Sequence, residues 1–121
     1  MGRLMFNFEK LEVWQKSIAL AGTVYGLTKI FPADERFGLT SQMRRAAVSI
    51  SSNLAEGCSR SSRTDFRRFV EIATGSAFEL ITQANIARDQ GHLPAESYDK
   101  LYQSTLEIVR MLSGLRDSLR D

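Results

Sequence analysis

The stretch Tyr98-Asp99-Lys100-Leu101-Tyr102-Gln103-Ser104-Thr105-Leu106-Glu107-Ile108-Val109-Arg110-Met111-Leu112-Ser113-Gly114-Leu115-Arg116-Asp117-Ser118-Leu119 decides the fold of this chain. Tyr98, Leu101, Thr105, Ile108, Leu112, Leu115 and Leu119 recur at alternating steps of three and four, the spacing that lines one face of an α-helix. Pro94 suits the first turn of such a helix, so the pattern predicts a helix over about 94–119.

Working back along the chain, Phe66, Val70, Ala73, Ala77, Leu80, Ala84 and Ala87 keep the same period and predict a helix over about 63–90, closed by Gly91. Ser62, followed three residues later by Asp65, is placed to cap its start. Before the polar loop Ser59 to Arg63, a third pattern of Leu39, Met43, Ala46, Ala47, Ile50 and Leu54 predicts a helix over about 39–57. Gly57 is read there as the left-handed residue that ends it. The first pattern spans about 8–31 and stops at Pro32, which cannot continue a helix. It carries two apolar stripes. Leu11, Trp14, Ile18, Ala21, Tyr25 and Thr28 are assigned to the core, and Val13, Leu20, Val24, Leu27 and Phe31 lie about a third of a turn away.

Four such segments with short connections predict an all-α chain: one antiparallel up-down-up-down four-helix bundle over residues 1–121. No two-residue alternation or Asn-Gly hairpin signal argues for strands. The 43% hydrophobic and 25% charged residues are a globular composition and not a disordered one. With one stripe per helix given to the core, Val13, Leu20, Val24, Leu27 and Phe31 remain, as do Ile72, Phe78 and Ile86, and Tyr102, Leu106, Val109 and Met111. A contiguous apolar surface marks an interface, so the bundle is expected to assemble with copies of itself into a ring-like homo-oligomer. Gly75, beside Thr74, Ser76 and Ala77, either permits close approach at that interface or is tolerated on a solvated face.

Several chemistries find no residues to carry them. Cys58 and His92 are the lone members of their types, which excludes an internal disulfide and a zinc site within one copy. No nucleophile–base pair or phosphate-cradling glycine loop is present, so neither an enzyme nor a cofactor is expected. No run approaches a membrane span, and the opening Met1 to Asn7 lacks a secretory apolar segment, so a cytoplasmic protein is expected.

The net charge of +2 hides an asymmetry. Seven arginines against Glu56 and Asp65 give the segment 36–68 a net +5. Arg44, Arg45, Arg60, Arg63, Arg67 and Arg68 are the candidates for phosphate contact, because a planar guanidinium grips two oxygens at once. Internal pairing competes with that reading: Arg45, Ser49, Ser52 and Glu56 share one stripe, Arg67 and Glu71 are four apart, and Glu79 is a further partner. Asn53, Glu56, Glu71 and Glu79 are given structural roles, while Trp14 and Tyr25 are assigned to the core. Cys58 is read as a small apolar residue and His92 as solvated.

The run Glu35-Arg36-Phe37-Gly38-Leu39-Thr40-Ser41-Gln42-Met43-Arg44-Arg45-Ala46-Ala47-Val48-Ser49-Ile50-Ser51-Ser52-Asn53-Leu54-Ala55-Glu56-Gly57 resembles the bacterial four-helix bundle proteins known as 23S rRNA intervening-sequence proteins. Phe8 to Lys16, the Phe31-Pro32 break, Arg60, Phe66, Phe69, Ile72 to Ser76 and Glu79-Leu80 carry the likeness over nearly the whole chain. It departs at Ser51, where proline is frequent, and at Ala77-Phe78, where leucine is usual. The resemblance implies a homopentamer around a central axis. Through related retroelement accessory proteins, it also implies contact with RNA or DNA and with a polymerase-type partner. Two functions are therefore expected to compete: a nucleic-acid-binding accessory or scaffold, and a protein-interaction module with no nucleic-acid contact.

Overall fold

The four runs of three-four spacing become four helices, α1 (Glu12–Thr28), α2 (Leu39–Cys58), α3 (Arg63–Asp89) and α4 (Ala95–Ser118), with 3-10 turns at Asn7–Lys10 and Ala33–Glu35. The computed structural model describes residues 6–120, and among these there is no strand. Met1 to Met5, part of the segment read above for a leader, lie outside them. The helices pack in the pairs α1–α2, α2–α3, α3–α4 and α4–α1, and neither diagonal pair brings its backbones as close. The α1/α2 and α3/α4 pairs therefore form opposite edges around one core. That core holds Val24 from α1, Met43, Ile50 and Leu54 from α2, Val70 and Leu80 from α3, and Leu101, Ile108 and Leu112 from α4.

Helix ends follow local chemistry. Ser62 caps α3 by accepting the Asp65 N–H at 3.1 Å. Gly91 ends α3 with φ of 80°. Its N–H reaches the Arg88 carbonyl and the His92 N–H reaches the Ala87 carbonyl, both at 2.9 Å, the paired bonds of a Schellman stop. Gly57 differs from its sequence reading. It lies inside α2 with no left-handed backbone, and a Cβ there would meet the Phe66 ring at 2.9 Å and the Phe69 Cβ at 3.0 Å. Its smallness lets the start of α3 pack onto the end of α2.

Helix α1 departs most from expectation. It begins at Glu12, because Leu11 is extended (ψ 121°) and the preceding turn is closed by Glu9, whose carboxylate accepts the Phe6 N–H at 2.8 Å. It ends at Thr28, three residues before the restricted Phe31-Pro32 step. The stripe set aside for an interface is the one that faces inward: Val13, Leu20, Val24 and Phe31 are 5%, 2%, 0% and 8% exposed, and Leu27 packs against them. Ser17 and Thr28 complete the inward face. Their hydroxyls donate to the Val13 and Val24 carbonyls at 2.7 and 2.8 Å, so neither is an unsatisfied polar group. Ile18 and Tyr25, assigned to the core from the sequence, are exposed.

Candidate functional site

The six candidate arginines do not converge on one patch. Successive residues on a helix point about 100° apart, and α2 accordingly sends Arg44 and Arg45 to different flanks. Arg44 faces α1, where its Nε donates to the Thr28 hydroxyl at 2.8 Å and its guanidinium lies 4.6 Å from the centre of the Tyr25 ring. Arg45 faces α3 and lines a polar groove with Gln42, Ser49, Glu79 and Gln83. In that groove Gln83 is buried, and its Oε1 has no hydrogen-bond partner among the described residues.

At the junction of α2 and α3, Arg60 bonds Glu56 at 2.7 Å, and Arg68 reaches Asp65 at 3.8 Å. Both guanidiniums lie against the ring of buried Phe69, at 4.7 and 5.2 Å from its centre. Arg63 donates to the Arg120 carbonyl at 3.5 Å. Among the described residues, Arg45 and Arg67 form no ion pair, and neither do Glu71 and Glu79. The expected Arg67–Glu71 link is thus not made, nor is one between Arg45 and Glu56. Helical spacing brings such side chains within reach, but exposed pairs gain too little to be held there.

Asn53 stands in a polar ladder between α2 and α3. Its Nδ2 donates to the Ser49 carbonyl and hydroxyl at 2.8 and 2.9 Å, and the Ser49 and Ser76 hydroxyls meet at 2.8 Å. Gly75, next to it, faces open space, with nothing within 4 Å of where a Cβ would stand. No close approach within the chain requires a glycine there.

Two features go beyond the sequence reading, one wholly and one in part. The first is a clasp between connections. His92 is half-buried, not solvated, and its Nε2 lies 3.0 Å from the Glu35 carboxylate. The other Glu35 oxygen accepts the Leu39 N–H at 3.1 Å and so caps α2. A Cβ on Gly38 would stand 2.7 Å from that oxygen, so glycine leaves the carboxylate room. No spacing rule links residues 57 apart, so only the fold reveals the pair.

The Leu39 bond first, and the His92 bond second, hold the Glu35 carboxyl below its ordinary 4.5. A depressed carboxyl adds stability that is complete above its unfolded value and lost as pH falls through the folded one. Glu35→Gln should therefore melt below the wild type at neutral pH, with the gap closing on acidification. Thermal scans across that range check it, and a pH-independent gap would refute the assignment. Burial pushes the Cys58 thiol above its ordinary 9.0, away from a reactive thiolate.

The second feature is a pair of exposed apolar edges, of which the sequence reading named the α3/α4 one through Phe78, Tyr102, Leu106 and Val109 but took Ile18 and Tyr25 of the α1/α2 one for core. On the α3/α4 edge, Phe78, Ile81, Tyr102, Leu106 and Val109 line a groove of about 310 Å³, with Phe78 63% exposed. On the α1/α2 edge, Tyr25 under Arg44 is exposed, as are Ile18 two turns before it and Val48 one turn beyond Arg44. Among the described residues no group of His, Cys, Asp and Glu is placed to hold a metal ion, and no helix is long and apolar enough to cross a membrane.

Comparison with known proteins agrees with this architecture. The chain is similar to a solved structure described as a protein of unknown function from the S23 ribosomal protein family of Bacteroides thetaiotaomicron VPI-5482. The two are 24% identical over 87% of this chain and 95% of that one, with a TM-score of 0.81, a likeness that shows a shared fold. None of the curated proteins compared with the chain matches it. The family model described as 23S rRNA-intervening sequence protein matches residues 9–114, nearly the full length of the four helices. By that match, the chain belongs to the 23S rRNA-intervening sequence protein family.

Proposed function

We propose that the chain is a non-catalytic scaffold, an up-down-up-down four-helix bundle that self-associates through exposed apolar surface. The alternating direction is supported by contacts at the two ends. Glu35 and His92 join the α1–α2 and α3–α4 connections, while Asn7 donates to the Cys58 carbonyl and Arg63 to that of Arg120. The observation that carries the reading is the α3/α4 groove, where Phe78 and Tyr102 are exposed and Ile81, Leu106 and Val109 are half-buried beside them. An apolar surface this continuous is characteristic of an interaction site. A ring of five copies is the number the family resemblance implies. The lone Cys58 suits a reducing, cytoplasmic setting.

Sedimentation velocity tests the proposal. The wild type should assemble at micromolar concentration. Phe78→Glu should weaken assembly at least tenfold, about 1.4 kcal/mol, without loss of helical ellipticity. A wild type that stays monomeric would sink the scaffold reading.

A second role, contact with RNA or DNA by the assembled scaffold, is favoured by the α2–α3 junction. Arg67 has no carboxylate partner there, and the Arg60 and Arg68 pairs are exposed, worth about 0–1 kcal/mol each and readily exchanged for phosphate. Arg63→Glu with Arg67→Glu should weaken binding to single-stranded RNA and flatten its salt dependence by about 0.7 for each phosphate no longer neutralised. Binding that ignores these charges, or none at low salt, would leave a protein partner such as a polymerase as the alternative. A partner retained after nuclease treatment would favour that alternative.

A further inference from the structure

We infer that the polar groove between α2 and α3 binds a small zwitterion, a free α-amino acid, and this holds whether or not the chain self-associates. The groove has a volume of about 410 Å³, with Gln42, Arg45, Ala46 and Ser49 of α2 on one wall and Glu79 and Gln83 of α3 on the other. It lies on the α2/α3 face, apart from both apolar edges. Small-molecule sites typically have about 300–1,000 Å³, whereas one water takes up only about 30 Å³.

Gln83 is the residue that calls for an occupant. It is 7% exposed, and its Oε1 meets neither solvent nor a donor among the described residues. An acceptor buried without a partner destabilises the chain, and an apolar side chain of similar shape would avoid that cost. Rotation about the last side-chain torsion, which is broad in glutamine, turns Oε1 toward the groove. Ser49 cannot serve it, because its hydroxyl is already engaged by Asn53 and Ser76 at 2.9 and 2.8 Å.

Arg45 and Glu79 set the charge of the occupant. Both are exposed, they face each other across the groove, and neither forms an ion pair among the described residues. A purely anionic ligand is repelled by Glu79, a purely cationic one by Arg45, and a neutral one leaves both charges unanswered. A carboxylate and an ammonium on one carbon answer both. The planar fork of Arg45 takes the carboxylate through two parallel N–H donors. The ammonium donates to the Glu79 carboxylate and to Gln83 Oε1, which stand four residues apart on α3 and so about 5–6 Å apart at their Cβ atoms. Ala46, buried at the floor, has no side chain beyond Cβ to obstruct the ligand's α-carbon.

Heteronuclear NMR on the full chain tests the site, with glycine and then the other common α-amino acids titrated while the side-chain amide signals of Gln42 and Gln83 are followed. At least one amino acid should shift the Gln83 signals saturably, and acetate, methylamine and inorganic phosphate should each bind at least tenfold more weakly. Arg45→Gln and Glu79→Gln, at exposed positions and checked for wild-type helical ellipticity, should each weaken the binding at least tenfold. Phe78→Glu should leave it unchanged, which separates this site from self-association. Failure of every amino acid to shift these signals, phosphate binding as tightly as any amino acid, or Arg45→Gln and Glu79→Gln chains that bind like the wild type would overturn the proposal. Gln83 signals that move on dilution to the monomer but ignore amino acids would also overturn it and assign the groove to a neighbouring copy.

Discussion

Val24→Asp is expected to unfold the chain at room temperature, whereas Ile18→Asp, six residues earlier in the same helix, is expected to keep its helical ellipticity. Val24 is fully buried, and losing its side chain from the core costs about 1.5–3 kcal/mol. A carboxylate in its place adds a desolvation penalty of several kcal/mol with no partner to offset it. Together these consume most of a domain stability of about 5–15 kcal/mol. Ile18 is 46% exposed, so the same change there leaves the carboxylate hydrated. Circular dichroism with urea titration, on dilute samples to separate folding from assembly, measures both. Equal destabilisation of the two variants would mean that α1 is rotated from the orientation described.

Gly57→Leu should lower stability by about 3 kcal/mol, the upper end for forcing bulk into a packed site. The Cβ alone would meet the Phe66 ring at 2.9 Å and the Phe69 Cβ at 3.0 Å. The ring can swing, but the second contact is one bond from backbone and moves only if α3 moves. Gly75 supplies the control. A Cβ there meets nothing, so Gly75→Ala should stabilise the monomer by up to about 1 kcal/mol through helix propensity. Urea unfolding of both variants decides the matter. A neutral Gly57→Leu would show that the α2–α3 contact is loose, and a Gly75→Ala chain that folds well but fails to assemble would place Gly75 in an interface.

Much was legible without coordinates because periodicity and punctuation are local properties. The three-four spacing of Met43, Ala46, Ala47, Ile50 and Leu54, of Val70 to Ala87, and of Tyr98 to Leu112 located α2, α3 and α4 to within a residue or so at each end. Each of these helices has one dominant apolar stripe, so its inward face follows from its own residues. The stop at Gly91 and the cap at Ser62 also depend on one or two residues, whereas α1 ends three residues before the Phe31-Pro32 step at which the sequence placed its stop. The arginine cluster was legible only as a count. Where each guanidinium points depends on which flank of α2 or α3 meets a neighbour.

Sequence by itself thus determined the four helices, the cap at Ser62, the stop at Gly91 and the family to which the chain is akin. Only the tertiary structure decided which of the two stripes on α1 is core. Stripes a third of a turn apart are equally apolar to a periodicity argument. The choice falls to packing against α2 and α4, which accepts Ser17 because its hydroxyl is satisfied by the Val13 carbonyl. The structure likewise decided that Glu35 meets His92, that Gly57 serves a close contact and that Ile18 and Tyr25 leave the α1/α2 edge apolar and open. All of these join residues distant in sequence, and proximity of that kind is a property of the folded chain alone.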